Sequence, residues 1–316
     1  MIPASLLGLT GAGDRAARLE PLDPAQLSTP LPTRRVEVNG LGLNTLDSGE
    51  EGRPAVVLIH GMGSNLGFWH KQVPWLRALG LRVLALDLPG YGGSDKPDAP
   101  CSPKWYAEQL VGWLDALEVP RAAVIGHSMG GQTAMELALL APERLAALVL
   151  AAPAGIEVFS EAGAAFMRGY WHERRALEAS PVEIEANFKK LAFNVHDEHV
   201  ERLLIERLRA QRHPSFVHTS RTVSRNIAGM LDHPVAPRLA ELSTPTLIVW
   251  GEDDRMIPNP MFTGGSTAEL ASRGRRLFPA ARAVLIPGAG HFVHHDAPEQ
   301  FHDAAGDFLT RHLRRR

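Results

Sequence analysis

The sequence predicts an α/β fold: a mostly parallel sheet with helices on both faces and a helical segment inserted late in it. Three observations carry this expectation. From Ala55 to Ala152, short apolar runs alternate with helix-length segments. That order reads βαβαβαβ and implies parallel strands joined by crossover helices. From about Gly155 to Leu242 the alternation stops, and helical patterns occur without a convincing strand. Strand character then returns at Thr246 to Trp250 and at Ala283 to Ile286.

The elements follow in order. Residues 1–33 are rich in Pro, Ala and Leu without a sustained period, and read as an extension lying over the domain or partly disordered. Val36 to Val38 and Leu41 to Leu46 flank Asn39-Gly40, a pair suited to the positive φ values of a tight hairpin turn. Ala55 to Ile59 is wholly apolar, as expected of a strand buried on both faces. A helical stretch through Leu79, a strand from Leu81 to Leu88 and a helix from Ala107 to Leu117 come next. They are followed by a strand from Ala122 to Ile125, a helix from Met129 to Leu140 and a strand from Leu145 to Ala152. Within the insertion, Pro181 with Glu183 suits a helix start, and Val200 to Arg209 carries helical spacing. Phe301 to Leu313 closes the chain as a helix. The expected division is 1–33, extension; 34–154, first part of the core; 155–242, helical cap insertion; 243–316, second part of the core.

Composition narrows the function classes. A net charge of -2 gives no basic field for nucleic acid. Arg311, Arg314, Arg315 and Arg316 form a local exception, read as a solvated helix end suited to the negative pole of the helix dipole. The single cysteine, Cys101, excludes an intrachain disulfide and fits a reducing cytosol. The apolar segment Ile2 to Gly13 lacks a basic start, so no secretory signal is expected and a cytoplasmic location is. No apolar run approaches the roughly 18 residues of a membrane span.

Four loops carry the chemistry. Gly126-His127-Ser128-Met129-Gly130-Gly131 joins a strand to a helix. A Gly-x-Ser-x-Gly match arises by chance in roughly one such sequence in ten, so its place in the chain is what informs. A sharp strand-to-helix turn strains the serine backbone and lifts its hydroxyl to the positive end of a helix. His60-Gly61-Met62-Gly63 follows the strand Ala55 to Ile59, and the N–H groups of Met62 and Met129 are the candidate oxyanion hole. Glu252, Asp253 and Asp254 compete as the acid that would orient a histidine. His291 lies in the loop Gly288-Ala289-Gly290-His291. His294, His295 and His302 lack the cysteine or carboxylate spacing of a metal site, and none is expected. Each loop follows the carboxyl end of a predicted strand, where α/β sheets bind ligands.

On these residues the chain resembles the α/β-hydrolase fold family, over about Val36 to the C-terminus. The resemblance implies an eight-stranded-type sheet, with Ser128 as nucleophile and His291 as general base. Asp254 matches the acid of the family's Gly-x-x-Asp-x-x-x-Pro pattern, counted from Gly251 to Pro258. Asp87 to Asp95 resembles the loop after the next strand and reads as a structural turn. The implied chemistry is acyl transfer without a cofactor, on a small-molecule ester or related carbonyl compound. Serine at the elbow argues against the family's haloalkane dehalogenases and epoxide hydrolases, which place aspartate there.

Carboxylic ester hydrolysis is the first reading. The main rival is C–C bond hydrolysis of the meta-cleavage type, because the stretch from Leu203 to Pro214 is similar to the lid of those enzymes. Arg212 would then bind a substrate carboxylate. Against the rival stand Phe292 where Trp usually follows the histidine, His127 in place of Asn before the serine, and a shorter oxyanion loop. Lactonase or perhydrolase activity uses the same triad, and a non-catalytic hydrolase-like binding protein is the alternative from another class. Trp69 and Phe68, beside the oxyanion loop, read first as core packing and second as substrate-contact candidates. Of the insertion's Phe159, Phe166, Met167, Tyr170, Trp171, Phe188 and Phe193, most are expected to pack internally and a minority to line a pocket.

Overall fold

The computed structural model describes residues 11–259, 261–278 and 281–313. Eight strands form one sheet: β1 (Thr33–Val38), β2 (Leu41–Asp47), β3 (Ala55–Ile59), β4 (Arg82–Leu86), β5 (Ala122–His127), β6 (Leu145–Ala151), β7 (Thr246–Gly251) and β8 (Ala281–Ile286). Their spatial order is β1-β2-β4-β3-β5-β6-β7-β8. The β1–β2 hairpin turns through Asn39 and Gly40, both at positive φ, and β2 pairs antiparallel with β4. All later pairings are parallel.

Strand periodicity explains the layers. In β3, Val56 and Leu58 join the apolar cluster on one face, with Trp69, Leu76 and Phe301. Val57 and Ile59 join the other, with Trp113, Met135 and Leu137. A side-chain period of two thus buries consecutive apolar residues on opposite faces, which is why the run is continuous. At the sheet edge, β8 is half-buried, so its first residues, Ala281-Arg282, lack that signature and the strand begins before Ala283. The helix Pro103–Ala116 likewise begins before Ala107. Ser102 Oγ accepts the Trp105 N–H at 3.1 Å and Pro103 occupies the first turn. Its start is set by a cap, not by apolar spacing. The stretch ending at Leu79 divides into a turn, Leu66–Trp69, and a helix, Gln72–Ala78.

Between β6 and β7 the described chain is helical: Glu161–Tyr170, Arg175–Glu178, Pro181–Ala186, Asn187–Ala192, Glu198–Gln211 and Phe216–Asp232, then the turn Ala236–Glu241. The described part of the N-terminal extension lies on this segment. Ala12 and Ala16 are buried in a cluster with Ile184, Phe188, Phe193, Leu204 and Leu208. The Ala12 N–H reaches Glu185 at 3.2 Å, and the Leu22 N–H reaches the Arg209 carbonyl at 3.3 Å. Residues 1–10 and Arg314, Arg315 and Arg316 lie outside the described residues; Arg311 lies in the last turn of the helix Pro298–Leu313. Among the described residues, no helix is long and apolar enough to cross a membrane.

Candidate active site

Ser128 stands between β5 and the helix Met129–Leu140 with φ 54 and ψ -121. A non-glycine residue there is strained, and the surrounding backbone must hold it. Ser128 N–H donates to the Ala151 carbonyl at 3.0 Å, and its own carbonyl accepts from Gly131, Gln132 and Ala154. The turn fits only because the helix presses against β3: a Cβ on Gly130 would collide with the carbonyl oxygen of Ile59.

The loop after β7 separates the three competing acids. Glu252 and Asp253 are exposed, whereas the Asp254 side chain is fully buried. Asp254 Oδ1 accepts the N–H groups of Met256 and Ile257 at 2.8 and 3.0 Å, and Oδ2 accepts His291 Nδ1 at 2.8 Å. A carboxylate acceptor at Nδ1 leaves Nε2 as the ring's free acceptor. A Cβ on Gly251 would collide with the carbonyl of Ala289, so this glycine lets β7 and the histidine loop approach.

Three further side chains hold these loops, and the sequence reading gave none of them that role. His127, the residue before Ser128, is 2% exposed and donates Nε2–H to the His291 carbonyl at 3.1 Å. Burial, and then the nearness of His291 at 4.8 Å between ring centroids, keeps His127 neutral well below the usual range. His60 accepts the Leu88 N–H at Nε2, 2.9 Å, and its Nδ1 donates to the Gly61 carbonyl at 2.8 Å. It is therefore a neutral brace for the loop bearing Met62, and burial lowers its pKa. Asp296 accepts the N–H groups of Gly290, Asn194 and Val195, tying the His291 loop to the helical segment. Their signal is burial of a polar side chain against backbone groups, which has no fixed spacing in sequence. Asp87 behaves as the structural turn expected, accepting from Leu66 N–H, Asn44 Nδ2 and Gly93 N–H.

Two cavities meet at Met62, Ser128, Trp171, Met256 and His291. One, of about 480 Å³, runs past Phe68, Phe188, Phe193 and Arg207. The other, of about 330 Å³, takes in Met129 and runs past Phe159, Met167, Ile227 and Glu157. Met62 and Met129 thus both border the cavity that Ser128 and His291 share. Of the insertion's large apolar residues, Phe159, Met167, Tyr170, Trp171, Phe188 and Phe193 line a cavity, Phe188 and Phe193 also pack in the buried cluster as expected, and Phe166 is exposed.

Two substrate-contact expectations need correction. Arg212 faces away from the cavities, donating through Nη1 to the carbonyls of Ala16 and Leu19, each at 2.8 Å. Two cations stand on the cavity wall: Arg175, paired with Glu183 at 2.7 Å, and Arg207, in the same helix-end region as Arg212. Among the described residues Arg207 has no carboxylate partner. Its guanidinium lies over Phe216 at 4.4 Å, Nη1 has no hydrogen-bond partner, and burial lowers its pKa to about 10. Trp69 is 1% exposed in the core and stacks on His294; its neighbour Phe68 lines the cavity instead.

Comparison with known proteins agrees with this fold. A family model described as alpha/beta hydrolase fold matches residues 54–298. The chain is similar to the dihydrolipoyllysine-residue acetyltransferase component of the acetoin cleaving system of Pseudomonas putida, at 32% identity over 91% of this chain and 71% of that protein. It is also similar to the 2-hydroxy-6-oxononadienedioate/2-hydroxy-6-oxononatrienedioate hydrolase of Paraburkholderia xenovorans, at 28% identity over 84% of this chain and 89% of that one. Among solved structures, a "probable hydrolytic enzyme" of Pseudomonas aeruginosa PAO1 superposes with a TM-score of 0.81, at 27% identity, covering 92% of this chain and 98% of that one.

Proposed function

The chain belongs to the α/β hydrolase fold family, and from that premise we propose that it hydrolyses a carboxylic ester through Ser128, His291 and Asp254. The observation that carries the reading is one shared space. A strained serine at a helix N-terminus borders the same cavity junction as a histidine whose Nδ1 is held by a buried carboxylate. His291 Nε2 takes the Ser128 proton as Oγ attacks the ester carbonyl. The oxyanion is held by the N–H groups of Met62 and Met129, each such donor being worth about 3 kcal/mol. His291 returns the proton to the leaving alcohol. Water, deprotonated by the same ring, then releases the acid and restores Ser128.

The helical segment 155–242 is the cap in this reading, and it supplies most of both cavity walls. Arg207 supports a substrate that carries an acid group, because its half-buried guanidinium lines the cavity without a carboxylate partner among the described residues, and an anion would meet that charge. A panel of p-nitrophenyl esters, some with a terminal carboxylate, tests the proposal. Turnover should fall by about 10⁴-fold or more in Ser128→Ala. Undiminished turnover in that variant, or none with any ester while ligands still bind, would exclude it.

Arg207 also supports a second reading, C–C bond hydrolysis, since the similar Paraburkholderia protein is named for a dioate. Loss of colour from a conjugated 2-hydroxy-6-oxo-dienoate, with no turnover of the esters, would select that reading.

A further inference from the structure

Away from Ser128, three metal-ligand side chains meet where three parts of the chain join. His70 follows the turn Leu66–Trp69, Asp197 caps the helix Glu198–Gln211, and His295 lies in the short helix Val293–Asp296, just after His291. One ligand atom from each lies within 4.8 Å of the others. We infer that His70, Asp197 and His295 bind one divalent transition-metal cation of the zinc class, pinning the helical segment to the core beside the His291 loop.

Two imidazole nitrogens and one carboxylate oxygen are a donor set suited to zinc, with a fourth position left for water. The ligand atoms are within reach of one cation. Asp197 uses Oδ1 to cap its helix, accepting the N–H groups of His199 and Val200 at 3.1 and 3.0 Å, which leaves Oδ2. His295 is 2% exposed, and its Nε2 is buried without a hydrogen-bond partner, 3.5 Å from Asp197 Oδ2. Its ring also engages the Val195 backbone, the kind of support that fixes a ligating imidazole. His70 Nδ1 is likewise buried without a partner. Buried polar nitrogens normally find partners, and a cation would complete both rings.

The neighbours define what competes. His199 stacks on His70 but is spent: Nε2 donates to the Gly67 carbonyl at 3.0 Å and Nδ1 accepts from Arg202. Lys71 is the rival cation, with Nζ 3.1 Å from Asp197 Oδ2 and 3.0 Å from the His295 carbonyl. A metal ion must displace this ammonium from the carboxylate, and the long lysine stem allows it to move.

Chelator-treated full-length protein, titrated calorimetrically with zinc chloride, gives the test. One saturable equivalent is expected. Asp197→Asn, which retains a capping side chain, and His70→Gln should each weaken binding by at least about tenfold. Lys71→Met should tighten it. The inference is overturned by the absence of a saturable equivalent in the unaltered protein. It is equally overturned if both ligand variants are folded by circular dichroism and keep full affinity. Should those variants fail to fold, Lys71→Met decides, and unchanged affinity there rejects the site.

Discussion

The carboxyl edge of the sheet and the helical segment above it are built by different rules. At the edge, backbone meets backbone: Gly130 against the Ile59 carbonyl, Gly251 against that of Ala289, and Ser128 held at positive φ by hydrogen bonds on both sides. Such contacts admit one residue type, so they leave motifs. In the helical segment, side chains meet side chains across short helices, and Phe188, Phe193 and Leu204 fill one cluster with Phe68 and Phe292. Packing of that kind accepts many solutions of similar volume. In the proposed function, the reacting groups thus sit on the rigid region, and the groups that would choose a substrate on the adaptable one.

The largest test of this contrast is at the edge. Asp254→Asn preserves shape but presents His291 with the wrong hydrogen-bond partner, so kcat should fall by about 10⁴-fold with little change in Tm. A loss of folding instead would mean that the three hydrogen bonds accepted by Asp254 serve stability rather than the ring's tautomer. The next effect lies in the helical segment. Arg207→Leu should raise KM for carboxylate-bearing esters by about 10–100-fold, an effect of roughly 1–3 kcal/mol, and leave neutral esters nearly unchanged. Equal losses on both ester types would place Arg207 in the packing of the segment and not in recognition.

The smallest effect is on pH-dependent stability, and it belongs to the core side. His60, His127 and His294 are buried, and burial lowers each pKa. In the unfolded chain they take protons near 6.5, so unfolding binds protons below that value. Stability from keeping them neutral is complete above about pH 6.5 and drains as pH falls toward the folded values. Melting temperatures measured between about pH 7.5 and 5.5 should fall with acidification. His127→Asn, which carries no titrating ring, should flatten the slope. A melting temperature that rises on acidification would contradict this assignment of charge.

The same contrast explains what could be read in advance. Ser128, the three neighbouring acids Glu252, Asp253 and Asp254, and His291 were legible because strand ends and glycine spacing announce a loop that must approach closely. The choice of Asp254 over Asp253 came from the resemblance, through the family pattern that Gly251 and Pro258 match, and burial of the Asp254 side chain agrees with it. Arg212 and Arg207 share one helix end, and five positions of separation on a helix turn them to different faces. Which face meets the cavity depends on how the helix Glu198–Gln211 docks. The N-terminal residues Ala16 and Leu19, which capture Arg212, settle that docking.

By itself the sequence determined the mostly parallel sheet, its alternation of strands and helices, and the loops proposed to carry chemistry. Apolar periodicity and glycine sterics act over a few residues and are written locally. Only the tertiary structure decided that Phe68 faces the cavity while its neighbour Trp69 does not, that Arg207 lines the cavity without a carboxylate partner among the described residues, and that His127 braces the His291 loop. It also brought Asp197 to His70 and His295. These outcomes depend on contacts between segments far apart in the chain, whose energies come from burial and partner satisfaction rather than from spacing.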